Sequence, residues 1–122
     1  MAGKLGIILN TPTEPSQLFG GDYKGLIEVT IAAGQGTAIK RGQVLQRNSG
    51  TGKYEVLVPG TGTAVAVLAS KEDVDATADV LVTVLRQGPV RAVDLVWPGA
   101  TTTPQKATHT QQLIDAGIPV VV

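Results

Sequence analysis

The residues best suited to chemistry in this sequence are a glycine-flanked lysine, one histidine and a run of carboxylates. The segment Gly50-Thr51-Gly52-Lys53 ends like a loop that binds nucleotide phosphates. That loop also requires a glycine five residues before its second glycine and a Ser or Thr after the lysine. Arg47 and Tyr54 occupy those two positions. A hairpin turn explains the glycines, and we expect no nucleotide site.

A second possibility for Lys53 is covalent modification. Residues 39–45 resemble the turn of barrel-sandwich carrier domains, which present a modified lysine in a tight hairpin. Lys53 lies between Gly52 and Tyr54, whereas lipoyl and biotinyl sites have acidic or methionine neighbours. A carrier module modified at Lys53 is therefore kept as the alternative function.

The remaining polar candidates indicate solvated surface rather than catalysis or metal binding. His109 has no second histidine and no cysteine with which to share a metal, so we expect a solvated helix residue. The acidic stretch 71–79 lacks the central glycine and closing glutamate of a calcium loop, so we expect a surface loop or one helical turn. No serine has the surroundings of a catalytic nucleophile. The sequence predicts no enzyme, no cofactor and no metal.

Composition narrows the class of protein further. The 122 residues suffice for one compact domain. Ten basic and ten acidic residues give zero net charge, which argues against a nucleic-acid or membrane-surface partner. No run is apolar enough for a membrane span or a signal peptide, and without cysteine no disulfide can form. Aromatic residues make up only 3%, so the core is modest, and we expect some apolar surface to be buried against other subunits.

Short strands joined by tight turns dominate the middle of the chain. Residues 26–32 alternate apolar and polar side chains, which predicts a half-buried strand. The segment 48–52 is the strongest hairpin loop, and the run 64–69 is apolar on both faces, as in a central strand. Further strands are predicted at 44–46, 54–58 and 80–85.

One helix is predicted in the last third of the chain. Thr103 suits the N-cap, Pro104 the first helical position, and Gly117 the C-cap. Ala107, Gln111 and Ile114 are predicted to share a face with Thr110, which is only weakly amphipathic.

Two apolar features near the end of the chain are expected to be covered. Trp97, next to Pro98, should be substantially buried in the core or between subunits. The terminal run of Val120, Val121 and Val122 would be an aggregation hazard if bare, so we expect it to pack in the core or at a subunit contact.

Residues 1–22 are predicted to form an N-terminal arm. Leu5, Ile7, Ile8 and Leu9 make a short apolar patch, and the segment from Thr11-Pro12 to Pro15 cannot form a helix. Such a segment is either a frayed tail or an arm that orders on a partner by adding a strand to a sheet edge. Composition leaves both alternatives open.

The order of segments resembles a known family, the head decoration proteins of lambda-like tailed phages. Residues 93–98 are similar to the stretch that precedes the helix in the lambda protein, and the resemblance runs from about Gln17 to Val122. Residues 1–16 match nothing comparable. The other segments that carry the resemblance are 29–35, 39–45, 51–54, 63–69 and 72–80.

The resemblance implies a mainly β fold of the β-clip type with one or two short helices and a flexible arm. It implies an arm at 1–22 and a single trimerising domain at 23–122. Such homotrimers occupy three-fold and quasi-three-fold positions of the expanded head, bind the major capsid protein and stabilise the shell against genome pressure. The protein would be assembled in the host cytoplasm and lie on the outer surface of the virion. Another phage structural or tail protein is also an alternative.

Overall fold

A computed structural model describes residues 25–122, and within them the fold is mainly β with one α-helix. Five strands close into a barrel in the order β1-β3-β2-β4-β5. A small parallel sheet of β6 and β7 and the helix α1 lie outside the barrel. The strands are β1 Leu26–Ile31, β2 Val44–Arg47, β3 Tyr54–Val56, β4 Ala66–Leu68, β5 Val80–Leu85, β6 Val90–Arg91 and β7 Val120–Val121, and α1 is Thr103–Asp115.

The longest ladder joins β1 to β5 in antiparallel register from Leu26↔Leu85 to Ile31↔Val80. Alternate residues of β1 enter the barrel, where Val29 and Ile31 are buried and Ile27 is partly buried. The predicted half-buried strand is therefore confirmed. A single parallel pair, Ile31↔Tyr54, joins β1 to β3 and closes the barrel.

The predicted hairpin loop joins β2 to β3. The Asn48 side-chain oxygen accepts from the backbone N–H groups of Gly50 (2.8 Å) and Thr51 (3.2 Å). Gly52 has a φ of +77°, a conformation that glycine adopts without steric cost. The turn therefore explains the glycines that resemble a phosphate loop.

Two apolar clusters lie on opposite sides of the barrel wall. We call the cluster inside the barrel the inner core; it includes Ile31, Leu45, Leu68 and Val84, all buried. The second cluster packs outside the wall under α1 and β7, and we call it the outer layer. All three residues of β4 are buried because Ala66 and Leu68 face inward and Val67 faces outward, as predicted for a central strand. The outer layer contains Val44, Leu57, Ala64, Val67, Leu95, Leu113 and Ile118.

The helix begins one residue earlier than its sequence signals predict. Thr102, rather than Thr103, is the N-cap, and it exchanges hydrogen bonds with Gln105 in a capping box. At the other end Ala116 is the C-cap and Gly117, at φ +97°, follows it. The N–H of Ile118 donates to the Leu113 carbonyl at 2.9 Å, which completes a Schellman motif.

The weakly amphipathic face of α1 is not the face that packs against the barrel. Ala107, Gln111 and Ile114 are exposed, whereas His109 and Leu113 are buried against the barrel wall. The apolar pattern does not reveal the buried face because one of the two residues that anchor the helix is a histidine.

The chain ends in the small outer sheet, where β6 and β7 pair in parallel with Val90↔Val120 and Arg91↔Val121. Val120 is partly buried in the outer layer. Val121 is 51% exposed and Val122 fully exposed, so packing of the whole valine run in the core of a single chain is wrong. The other alternative, a subunit contact, stays a prediction.

Candidate functional site

Lys53, the residue of the carrier alternative, forms an ion pair across the fold. Its Nζ lies 2.5 Å from Asp79 Oδ2, and Asp79 Oδ1 accepts from the Ala33 N–H at 2.9 Å. The pKa of Asp79 is held below its ordinary value mainly by the hydrogen bond from Lys53. The hydrogen bond from the Ala33 N–H is the second cause. The carboxylate thus joins the hairpin to two neighbouring loops, and this engagement gives the carrier alternative no support.

The acidic segment 71–79 is a surface loop without a helical turn. Asp73 accepts from Lys40 Nζ at 2.6 Å. Asp75 accepts from the Thr77 N–H at 3.0 Å, and that backbone bond is the main cause that lowers the pKa of Asp75. Asp73, Asp75 and Asp79 each bond a different partner, so these carboxylates do not converge on one point. Within residues 25–122 no group of three or more metal-binding side chains comes together.

His109 is not solvated as predicted: it is 1% exposed and anchors the helix to the loop after β3. Its Nε2 accepts from the Gly60 N–H at 3.1 Å. Nδ1 therefore carries the proton in this tautomer, and it donates to Gln112 Oε1 at 2.8 Å. The same Gln112 oxygen accepts from the Ala64 N–H at 2.9 Å. These hydrogen bonds attach α1 to the loop after β3, and the arrangement contains no nucleophile or substrate cleft.

Sequence reasoning missed this anchor, although its spacing holds a signal. His109, Gln112 and Leu113 stand at positions i, i+3 and i+4, which share one face of a helix. A histidine and a glutamine on a face otherwise short of large apolar residues are suited to binding backbone groups of a neighbouring loop. Because those groups belong to Gly60 and Ala64, nearly 50 residues away, the sequence alone does not point to the partners.

Trp97 and Pro98, expected at the core or at a subunit contact, lie at the rim of the outer layer. Both are partly buried, and Trp97 packs against the outer layer. The Trp97 ring centroid is 6.4 Å from that of His109, with the planes tilted by 32°. Trp97 therefore lies at the surface of the outer layer and is not fully covered within one chain.

Large apolar side chains are exposed at several points of the described chain. Val93 is 79% exposed and comes two residues after Arg91, which pairs with the exposed Val121. Leu81 on β5 is 62% exposed on the outer surface of the barrel. Exposed apolar residues that group together mark contact surfaces for other proteins. The others are Leu26, Val58 and Ile114.

The predicted arm residues, Leu5, Ile7, Ile8, Leu9, Thr11 and Pro12, lie outside the residues that the structure describes. Of the helical segments in residues 25–122, none is long and apolar enough to cross a membrane.

Comparison with known proteins identifies one family. A family model described as bacteriophage lambda head decoration protein D matches residues 8–118. The matched region covers the barrel, α1, the outer layer up to Ile118 and more than half of the predicted arm. No curated protein sequence gives a significant match to the chain.

Proposed function

Because the chain belongs to the bacteriophage lambda head decoration protein family, we propose that it binds the expanded phage head as a homotrimer. Members of this family are structural capsid proteins, so the protein is a virion component and not an enzyme. The proposed sites are the three-fold and quasi-three-fold positions, and the proposed partner is the major capsid protein. There the trimer bridges neighbouring capsomers and stabilises the shell against the pressure of the genome. The family match over residues 8–118 carries this proposal.

The apolar surface of the folded chain supports a trimer. Val93 and Val121 are more than half exposed, and Trp97 is only partly covered. In a ring of three copies each chain presents one surface to one neighbour and a different surface to the other, so a single heterologous contact is repeated three times. We propose Trp97, Pro98, Val120 and Val121 as residues of this contact.

The proposed docking element is the arm, residues 1–22, which precedes a body of residues 23–122. An extended segment such as Ile7-Ile8-Leu9 can add a strand to an open sheet edge through backbone hydrogen bonds. Such contacts need little sequence specificity, which suits quasi-equivalent positions that differ slightly in shape. Each arm loses conformational freedom when it orders, so one arm binds weakly, but three on one trimer act together. We propose that trimers form in the host cytoplasm before they bind the shell.

The decisive experiment compares the full chain with a variant that lacks residues 1–16. Light scattering should give the mass of a trimer for both, because the proposed trimer contacts lie in the body. Binding to purified expanded heads should be retained by the full chain and lost by the truncated one. A monomeric full chain would refute the trimer, and normal decoration by the truncated chain would refute the role of the arm.

A point variant with a matched control sharpens the result. Ile7→Ser combined with Ile8→Ser removes the apolar patch, whereas Thr13→Ser changes the same arm conservatively at a position outside the predicted contact residues. We expect the isoleucine variant to lose at least about tenfold in affinity for expanded heads, because three weakened arms multiply their effect. The threonine variant should bind like the unmodified chain.

A further inference from the structure

A groove of about 640 Å³ lies at the end of the barrel where β1 begins. Its apolar lining comes from Leu26, Val67, Leu68, Leu85 and Val90. Arg41, Arg91 and Asp94 also line it. Arg91 Nε donates to Asp94 Oδ2 at 3.0 Å, whereas within residues 25–122 no carboxylate lies within ion-pair distance of Arg41. The groove therefore suits an apolar segment that carries one negative charge.

Gly25 comes directly before β1, next to Leu26 of the groove lining. Its carbonyl accepts from the Arg86 N–H at 2.9 Å, which is the last bond of the β1–β5 pairing. Its φ is +80°, and a Cβ at this position would lie 2.0 Å from the Gln87 carbonyl oxygen. Only glycine fits here, and the left-handed conformation turns the chain away from the ladder. The turn is next to Leu26, which lines the groove.

We propose that residues Leu18–Asp22 of the same chain occupy this groove. Leu18 and Phe19 supply two large apolar side chains for its lining, and Asp22 supplies a carboxylate for Arg41. Phe19 is six residues before Gly25, which allows a reach of about 20 Å. The segment is therefore long enough to reach the groove, because Leu26, the residue after Gly25, lines its edge. The chemistry of the segment thus matches the groove in both apolar character and charge.

The consequence is a fixed root for the arm. Residues 1–16 then leave the body from one defined place instead of from a tether that begins at Gly25. With a fixed root, fewer residues separate the tip of the arm from its attachment point, which raises the effective concentration of the tip near a binding site. This inference concerns the free protein, and it holds whether or not the arm binds a capsid.

The absence of cysteine from the chain allows a direct test by disulfide trapping. Gly20→Cys is combined with Ala69→Cys, since Gly20 lies within the proposed segment but supplies no side chain to the groove, and Ala69 lines the groove. The control pairs Gly20→Cys with Gln87→Cys, an exposed position beside Gly25 that is equally within reach but does not line the groove. With a mild oxidant, the groove pair should form an intrachain disulfide at least about tenfold faster than the control pair, because docking raises the local thiol concentration. Non-reducing electrophoresis separates intrachain from interchain products.

A charge variant tests the Asp22–Arg41 pairing in the same assay. Arg41→Gln in the groove pair should slow the intrachain disulfide severalfold, and Lys71→Gln, an exposed change in the acidic loop, should not. Equal rates for the two cysteine pairs, or disulfides formed mainly between chains, would overturn the proposal. The latter result would assign the groove to a second copy. Deletion of residues 1–16 leaves Leu18–Asp22 in place, so failure here is distinguishable from failure of the proposed capsid binding.

Discussion

The inner core and the outer layer are held by different forces. The inner core is bounded by the backbone ladders of a closed barrel, and its buried residues are apolar except for the hydroxyl of Tyr54. That hydroxyl accepts from the Arg86 guanidinium, which also lies 5.8 Å from the centre of the Tyr54 ring. In the outer layer the segment before α1 is joined to the barrel by backbone hydrogen bonds of Val96 with Gly42 and Val44. The helix α1 has no such ladder and is attached by apolar packing and by the hydrogen bonds of His109 and Gln112.

The difference shows how a chain with few aromatic residues builds a stable body. A barrel needs only Val, Ile, Leu and Ala inside, because its strands satisfy one another's backbone groups. A helix placed on the outer wall satisfies its own backbone and must be attached by side chains. We therefore expect the barrel to control global stability and the outer layer to open more readily.

The largest expected effect is in the inner core. Leu68→Ala should lower the free energy of unfolding by about 3 kcal/mol, since Leu68 is 1% exposed and its loss leaves a cavity. Circular dichroism, which follows the strands, and Trp97 fluorescence, which follows the outer layer, should shift together during denaturant unfolding. The matched control is Leu81→Ala, at a leucine 62% exposed on the barrel surface, with an expected change within about 0.5 kcal/mol. Comparable losses in the two variants would contradict the position of the inner core.

A smaller effect is expected at the anchor of the outer layer. His109→Ala should cost about 2 kcal/mol, because it removes a buried ring and the acceptor for the Gly60 N–H. The Trp97 fluorescence transition should move to lower denaturant than the circular dichroism transition, since the two rings are neighbours. His109→Gln, which offers an oxygen acceptor on a similar reach, should recover part of the loss.

Lys106→Ala, on the exposed side of the same helix, serves as the control and should leave both transitions in place. If His109→Ala shifts the two transitions equally, the outer layer and the barrel unfold as one unit, and the proposed difference between them is wrong.

The smallest effect is expected at the ion pair between Asp79 and Lys53, whose contribution to stability depends on pH. Asp79 has a lowered pKa, so its contribution to stability is present above about pH 4, the ordinary range of a carboxyl, and is lost as pH falls through the lowered value. Asp79→Asn keeps an oxygen for the Ala33 N–H but removes the charge that faces Lys53.

The melting temperature should therefore fall less steeply on acidification below about pH 4 for Asp79→Asn than for the unmodified chain. Glu72→Gln, a charge removal at an exposed position of the same loop, is the control and should reproduce the slope of the unmodified chain. Parallel curves for Asp79→Asn and the unmodified chain would show that the ion pair does not contribute.

The elements that local patterns specify were predictable. The alternation in residues 26–32, the glycines of the hairpin and the proline and glycine at the ends of α1 are signals carried by neighbouring residues, and the structure confirms each element. The buried face of α1 was not predictable in this way. His109 is buried because Gly60 and Gln112 satisfy its two nitrogens, and those partners meet it only in the folded chain.

The functional inferences show the same difference between local and long-range information. The order of segments in the sequence already resembles a capsid family from about Gln17 onward, and the family model that matches residues 8–118 shows that the chain belongs to it. No single segment of the sequence predicts the groove beside Gly25, because its lining residues are far apart along the chain. They include Arg41, Leu68, Leu85 and Val90.

Local patterns in the sequence specified the five barrel strands, the hairpin turn between β2 and β3 and, to within one residue, the ends of the helix. These depend on steric preferences and periodicity within a few residues. Which strands close the barrel and which face of α1 is covered became defined only in the folded chain. Those outcomes depend on contacts between distant residues, whose energies exist only after the chain has brought them together.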